Sequence, residues 1–275
     1  MPHLQTRRLG RTGIEVVAVG LGAMDTPQSP EAAATVHAAI DFGVNFIDTA
    51  REYAGSEYLL GQVIRERGGL DFHVATKTFS QTADGAQRDV DRSLGVLGVE
   101  SIDLYQLHDV SSLDAWERVM QPEDGALAGL RIAQFRGLVR HIGVSTHNLE
   151  VLRLIVESGA FDTVMVEYSA FHLQTAPLIE AAYARDIGVI VMRPVGGSGR
   201  TSLMRGQSAR AEPGLVTPAR LLCHALSQPG VSVAIPGARY PSRVRENLDT
   251  LAGFVPMPVE EQRALEAAAV AFDAS

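Results

Sequence analysis

The sequence has a single cysteine, Cys223, in 275 residues. One thiol excludes an internal disulfide framework and any cluster of thiolate metal ligands, and it fits a reducing compartment such as the cytoplasm. Long apolar runs are missing too: none reaches the roughly eighteen residues that suggest a membrane span. Positive charge is scarce, with 24 Lys plus Arg against 32 Asp plus Glu and a formal net charge of -8. That balance excludes the basic footprint of a general nucleic-acid binder. There is no Walker-type phosphate loop, His-Glu-x-x-His pair or Cys-x-x-Cys. Gly20-Leu21-Gly22 begins like a dinucleotide fingerprint, but Asp25 stands where its third glycine is needed. His73, His141, His147, His172 and His224 have no ligand spacing, so they are expected to be surface or packing residues and no metal is expected.

The charged and apolar residues that are present follow a regular order. Arg7, Arg8 and Arg11 followed by Val16 to Met24 have the outline of a secretory leader, but Glu15 and glycines 10, 13, 20 and 22 interrupt it. A turn at Thr12-Gly13 between two short strands accounts for the segment better. Short β-branched runs then recur at Val16-Leu21, Asn45-Ile47, His73-Ala75, Ile102-Leu107, Val139-Val144, Val164-Tyr168, Val189-Met192 and Val231-Ile235. Helix-like stretches separate them: Pro30-Phe42, Ser56-Arg67, Ala86-Leu97, Ala126-Phe135, Leu149-Glu157, Ala176-Ala184, Thr217-Ser227 and Ser242-Leu251, with a last one near Val259-Val270. Strand-helix alternation at a spacing of about thirty residues predicts an α/β fold, a (β/α)8 TIM barrel with a short N-terminal β-hairpin. A doubly wound open sheet is the structural alternative. No Pro/Gly/Ser-rich linker divides the chain, which predicts one domain over 1–275.

In a parallel barrel, functional groups sit where strands end. The run Asn45-Phe46-Ile47 ends at Asp48, with Tyr53 five positions on; the run from His73 ends at Lys77; the run from Ile102 ends at His108. A carboxylate, a phenol, an ammonium and an imidazole thus project from three consecutive strands. Ile102, Leu104, Gln106 and His108 share one strand face, as do His73, Ala75 and Lys77, although alternation alone leaves the inward sense open. If the four converge, Lys77 stabilises the anion of Tyr53, Asp48 holds Lys77 charged, and His108 donates to a carbonyl oxygen. A group that protonates an alkoxide is the natural partner of a hydride arriving at carbonyl carbon. The competing chemistry makes Lys77 a Schiff-base nucleophile, a role that Asp48 and Tyr53 suit less well. Cys223 falls in a helical pattern and reads as an inert thiol. Gly196-Gly197-Ser198-Gly199-Arg200 follows a strand and could cradle a phosphate or form a flexible turn.

These residues resemble the aldo-keto reductase superfamily. The resemblance rests on Arg8-Leu9-Gly10-Arg11-Thr12-Gly13, Phe46-Ile47-Asp48-Thr49-Ala50-Arg51-Glu52-Tyr53-Ala54-Gly55-Ser56-Glu57, Val74-Ala75-Thr76-Lys77, Asp103-Leu104-Tyr105-Gln106-Leu107-His108, Arg140-His141-Ile142-Gly143-Val144-Ser145 and Arg243-Val244-Arg245-Glu246-Asn247. It implies the barrel, an oxidoreductase that reduces an aldehyde or ketone, and NADPH, or NADH, at the C-terminal rim. Tyr53 corresponds to the general acid, Lys77 and Asp48 to the residues that tune it, and His108 to the residue that orients the carbonyl. Thr49 and Ser145 correspond to nicotinamide contacts and Met192 to the stacking position. Pro194, Gly196, Gly197 and Arg239 are expected near the cofactor, Arg243 at an adenosine 2'-phosphate, and Glu246 and Asn247 at adenine. A helix starting near Ser242 would offer its N-terminus to that phosphate.

Departures accompany the match. Thr146 and Met165 stand where many members have asparagine and glutamine on the carboxamide, and Met192 replaces an aromatic ring. A thioether packs on a ring but supplies no stacking face. This weaker grip motivates a second expectation, a cofactor-binding regulatory subunit with little turnover. Met24 and Trp116 are expected to line the substrate pocket, together with the Asp109–Pro122 segment and the loop after Pro194. The chain stops at Ser275, soon after its last helix, which implies a comparatively open site.

Overall fold

The computed structural model describes residues 4–197, 199, 200, 204 and 214–273. Eight parallel strands form the barrel: β3 (Leu21–Gly22), β4 (Phe46–Asp48), β5 (His73–Thr78), β6 (Ile102–Leu107), β7 (Val139–Ser145), β8 (Thr163–Glu167), β9 (Gly188–Met192) and β10 (Val231–Ile235). Before them β1 (Thr6–Arg8) and β2 (Glu15–Val17) pair antiparallel around a 3-10 turn at Gly10–Thr12. The described helices are α1 (Ala32–Asp41), α2 (Ser56–Arg67), α3 (Ala83–Leu97), α4 (Leu113–Val119), α5 (Ala126–Phe135), α6 (Leu149–Ser158), α7 (Ala176–Ala184), α8 (Pro218–Ser227), α9 (Pro241–Asp249) and α10 (Val259–Asp273).

Side chains of opposite strand faces build two cores. Leu9, Phe46, Ala75, Leu104, Met165, Ile190 and Val233 fill the barrel interior, while a larger cluster that includes Ile47, Val74, Tyr105, Ile142 and Val189 packs between strands and helices. The hairpin plugs the N-terminal end. Its Leu9 is fully buried, and Gly10 lies so close to β9 that a Cβ there would stand 2.1 Å from the Gly188 nitrogen. The opposite rim is left for chemistry.

The barrel closes along a short seam. Gly20 donates its amide to the Ala234 carbonyl, Ala234 to Ala18, and Gly22 to Pro236, with bridges Val19–Ala234 and Gly22–Gly237. A Cβ on Gly22 would lie 2.8 Å from the Ile235 carbonyl oxygen. Gly22→Ala is therefore expected to lower unfolding stability by about 1–3 kcal/mol, the usual cost of forcing extra volume into a packed contact. A shift in the urea midpoint, with the slope unchanged, measures it.

Sequence expectations for the individual elements need four adjustments. The run Val16–Leu21 is divided, because Val17 pairs with Thr6 in the hairpin while Leu21 pairs with Ile47 in the barrel. The first helix starts later, at Ala32, after a 3-10 turn at Thr26–Gln28. The Asp109–Pro122 segment contains α4, started by Ser112, whose side chain accepts the Ala115 amide. The helix expected near Ser242 begins at Pro241, which suits a first helical position because it lacks an N–H. Most of the segment 198–213 lies outside the described residues.

Candidate active site

Strand register brings the predicted ionisable residues together. Asp48 stands beside Ala75 on β5, and Lys77 beside Gln106 on β6. Because Ala75 and Leu104 face the interior, alternation turns Lys77 and Gln106 inward as well. Lys77 Nζ donates to Asp48 Oδ2 at 2.6 Å, to the Thr49 carbonyl at 2.7 Å and to the Tyr53 hydroxyl at 3.5 Å. The other Asp48 oxygen accepts from Gln106 Nε2 at 3.2 Å. Tyr53 and His108 meet edge to face, with ring centroids 5.4 Å apart and planes at 82°. Lys77 is fully buried, Asp48 nearly so, and Tyr53 and His108 are half-buried.

Burial dominates the electrostatics. It pushes the Lys77 ammonium below its ordinary pKa, against the pull of Asp48, and pushes Asp48 up against Lys77. A short, doubly supported contact of this kind holds as an ion pair, because each charge has a partner and a further hydrogen bond. Tyr53 is raised above the ordinary phenol value, first by burial, then by Asp48 and Glu52, with Arg193 acting the other way. The expectation that Lys77 sets the acidity of Tyr53 therefore needs refinement. In this state the ammonium is engaged by Asp48 and the Thr49 carbonyl, and the phenol keeps its proton.

Three residues that sequence reasoning did not single out, Glu52, Phe79 and Arg193, also face this site. Glu52 lies with Oε2 at 3.3 Å from His108 Nδ1, while Oε1 accepts the Phe79 amide at 3.2 Å. Phe79 stacks on His108 at 4.1 Å and 15°. Arg193, next after Met192, has a left-handed φ of 52° and donates to Glu167 at 3.2 Å. Gln106, which the sequence places on one strand face with His108, is the residue that braces the second Asp48 oxygen. No strand-face pattern points to Arg193.

The residues expected at the cofactor divide into two groups. Ser145 accepts the Asp109 amide on Oγ at 2.8 Å, and its own proton has no acceptor among the described residues. Met192 is half-buried above the interior cluster, whereas Met165 lies within it. Pro194 and Gly196 are buried, and Gly196 and Gly197 have φ of 82° and 83°. Near β10, Arg239 bonds Gln28 at 2.9 Å, and Arg243 pairs with Glu246 on α9, beside half-buried Asn247. The first turn of α9 has no side-chain cap, and although Pro241 lacks an N–H and the Arg243 and Val244 amides turn to the Tyr240 carbonyl, its positive end with Arg239 and Arg243 suits a phosphate. This donor set fits a dinucleotide. Thr49 differs: it is fully buried, with its hydroxyl on Ser56 at 2.7 Å, its carbonyl on Lys77 and its amide on Ala75. Met24 is 49% exposed at the rim. Trp116 is half-buried on α4, its ring 6.3 Å from buried Phe161 in the helical shell. Cys223 on α8 is partly buried, and burial raises its thiol pKa.

A closed (β/α)8 barrel with these ionisable groups at the C-terminal strand ends is an enzyme architecture. The model of the aldo/keto reductase family matches residues 18–215, and the chain belongs to that family. It is thereby an oxidoreductase of the NAD(P)H-dependent, carbonyl-reducing kind. An aldo-keto reductase of Mycolicibacterium smegmatis is 31% identical over 250 residues, 86% of this chain and 81% of that protein. The aldo-keto reductase yakc [NADP(+)] of Schizosaccharomyces pombe is 28% identical over 217 residues, 70% of this chain and 62% of that one. Among solved structures, the holo form of an aldo-keto reductase from Bacillus halodurans superposes with a TM-score of 0.80 at 20% identity, covering 96% of both chains. Among the described residues no helix is long and apolar enough to cross a membrane, and no group of metal-ligating side chains occurs.

Proposed function

We propose that this chain reduces a small aldehyde or ketone to an alcohol, with Tyr53 as the proton donor. The observation that carries the reading is Lys77, held by Asp48 and the Thr49 carbonyl with its Nζ 3.5 Å from the Tyr53 hydroxyl at the barrel mouth. A bound nicotinamide supplies the hydride for the carbonyl carbon. Tyr53 gives its proton to the carbonyl oxygen, and the raised phenol pKa keeps that donor loaded at neutral pH. As the proton leaves, the phenolate oxygen faces a buried ammonium, which stabilises developing charge without reorganisation. His108 donates to the same carbonyl oxygen and orients it.

NADPH is the proposed cofactor, supported by Arg239 and Arg243 at the uncapped start of α9 and by the NADP(+) in the yeast relative's name. Ser145 would hold the carboxamide, Met192 would pack on the ring, and Asn247 with Glu246 would meet adenine. Met24 at the rim belongs to the proposed substrate pocket. The test is NADPH oxidation against a panel of aldehydes. Steady turnover supports the reading; tight NADPH binding without turnover on any carbonyl overturns it in favour of a regulatory subunit. A second measurement concerns the phosphate end. Arg243→Ala is expected to raise the KM for NADPH about tenfold, the worth of one charge-assisted contact, and to change that for NADH less than about twofold.

A further inference from the structure

Glu52 precedes Tyr53 in the chain but turns its carboxylate to His108. One oxygen lies 3.3 Å from Nδ1 and the other accepts the Phe79 amide. Phe79 covers one face of the imidazole, and Tyr53 meets it edge to face. No hydrogen bond to Nε2 is found among the described residues. The other charged groups nearby are Asp48 and Lys77 from β4 and β5, Asp109 next along the chain, and Arg193 after β9.

We propose that Glu52 is a positioning residue for carbonyl reduction, whose carboxylate accepts a hydrogen bond from Nδ1–H of His108 so that Nε2 is the nitrogen presented to the carbonyl oxygen. This rests on the roles given above to Tyr53 and His108. An ionised carboxylate only accepts hydrogen bonds, so the contact requires the proton on Nδ1. In its doubly protonated form the ring gives Nδ1–H to Glu52 and Nε2–H to the carbonyl oxygen together. Glu52 stays ionised: burial opposes this, but the bonds from His108 and the Phe79 amide hold it below the usual carboxylate range. The same charge reaches Tyr53, where after burial and Asp48 it is the next cause of the raised phenol.

The test uses Glu52→Gln, which keeps an acceptor for the Phe79 amide and removes the charge. Glu52 is exposed, so the melting temperature is expected to stay put. For reduction, kcat should fall by about tenfold with KM altered less than about twofold. Alcohol oxidation needs the phenolate as base, so its onset should move to lower pH in the variant. Nitrogen-15 spectra should place a proton on His108 Nδ1 in the wild type and lose that signature in the variant. Wild-type kcat in the variant, an unmoved oxidation onset, or an unchanged His108 spectrum each overturns the proposal. If the wild type itself reduces no carbonyl, the functional reading fails, and the spectra alone then decide whether Glu52 fixes the His108 ring.

Discussion

Tyr53→Phe is expected to lower kcat/KM for carbonyl reduction by about 10²–10⁴, the usual contribution of a positioned general acid. At 1.36 kcal/mol per factor of ten, this amounts to roughly 3–5 kcal/mol of transition-state stabilisation. The fold should be indifferent to the change. Among the described residues the hydroxyl has one long contact, 3.5 Å to Lys77, and that ammonium retains Asp48 and the Thr49 carbonyl when the hydroxyl is removed. The affinity for NADPH is expected to stay within about twofold, because the phenol is proposed to act on the carbonyl oxygen. Full activity in this variant would remove Tyr53 from the reaction.

Lys77→Met is expected to be costly in a different way. It leaves Asp48 as a buried carboxylate whose one remaining side-chain partner among the described residues is Gln106. Breaking a buried ion pair by removing one member typically destabilises by about 3–5 kcal/mol, because the other charge is left without compensation. Activity should collapse as well, since the phenolate would face no cation. The double variant Asp48→Asn with Lys77→Met separates the two effects. Most of the stability should return with the stranded charge gone, while reduction stays low. Urea unfolding of wild type, both single variants and the double variant gives the coupling energy directly. Additive losses would show that the two side chains do not act as a pair.

Much of this site was legible from strand ends alone, and the reason is physical. In a parallel barrel every strand delivers its last residues to the same rim, so Asp48, Lys77 and His108 converge wherever the intervening helices run. What alternation could not supply was the inward direction. That came from Ala75 and Leu104, whose apolar side chains fill the interior and carry Lys77 and Gln106 round with them. Glu52 and Arg193 escaped notice because each lies just beyond a strand, where period two no longer applies. Arg193 has a left-handed backbone that no sequence pattern announces. Trp116 could be read either as core or as pocket lining, and the helix that carries it, capped by Ser112, brings its ring to 6.3 Å from Phe161. Thr49, next to Asp48, supplies the backbone carbonyl that holds Lys77, a main-chain role that no side-chain pattern announces. The hairpin and barrel were confused in Val16–Leu21 because one apolar run crosses from one sheet to the other.

The seam also dictates an order of assembly. Arg7 anchors the hairpin to the Val231 carbonyl, 224 positions further along, and Thr26 bonds the Ala238 carbonyl 212 positions away. A chain emerging from the ribosome exposes Ala18, Gly20 and Gly22 long before their partners Ala234 and Pro236, on and just after β10, exist. Until then β3 is an open edge paired on one side with β4, a template for the wrong neighbour. Closure of the ring thus joins segments 212 and 224 positions apart, the kind of contact that carries the largest loop-closure cost, and it is made along the two-residue strand β3.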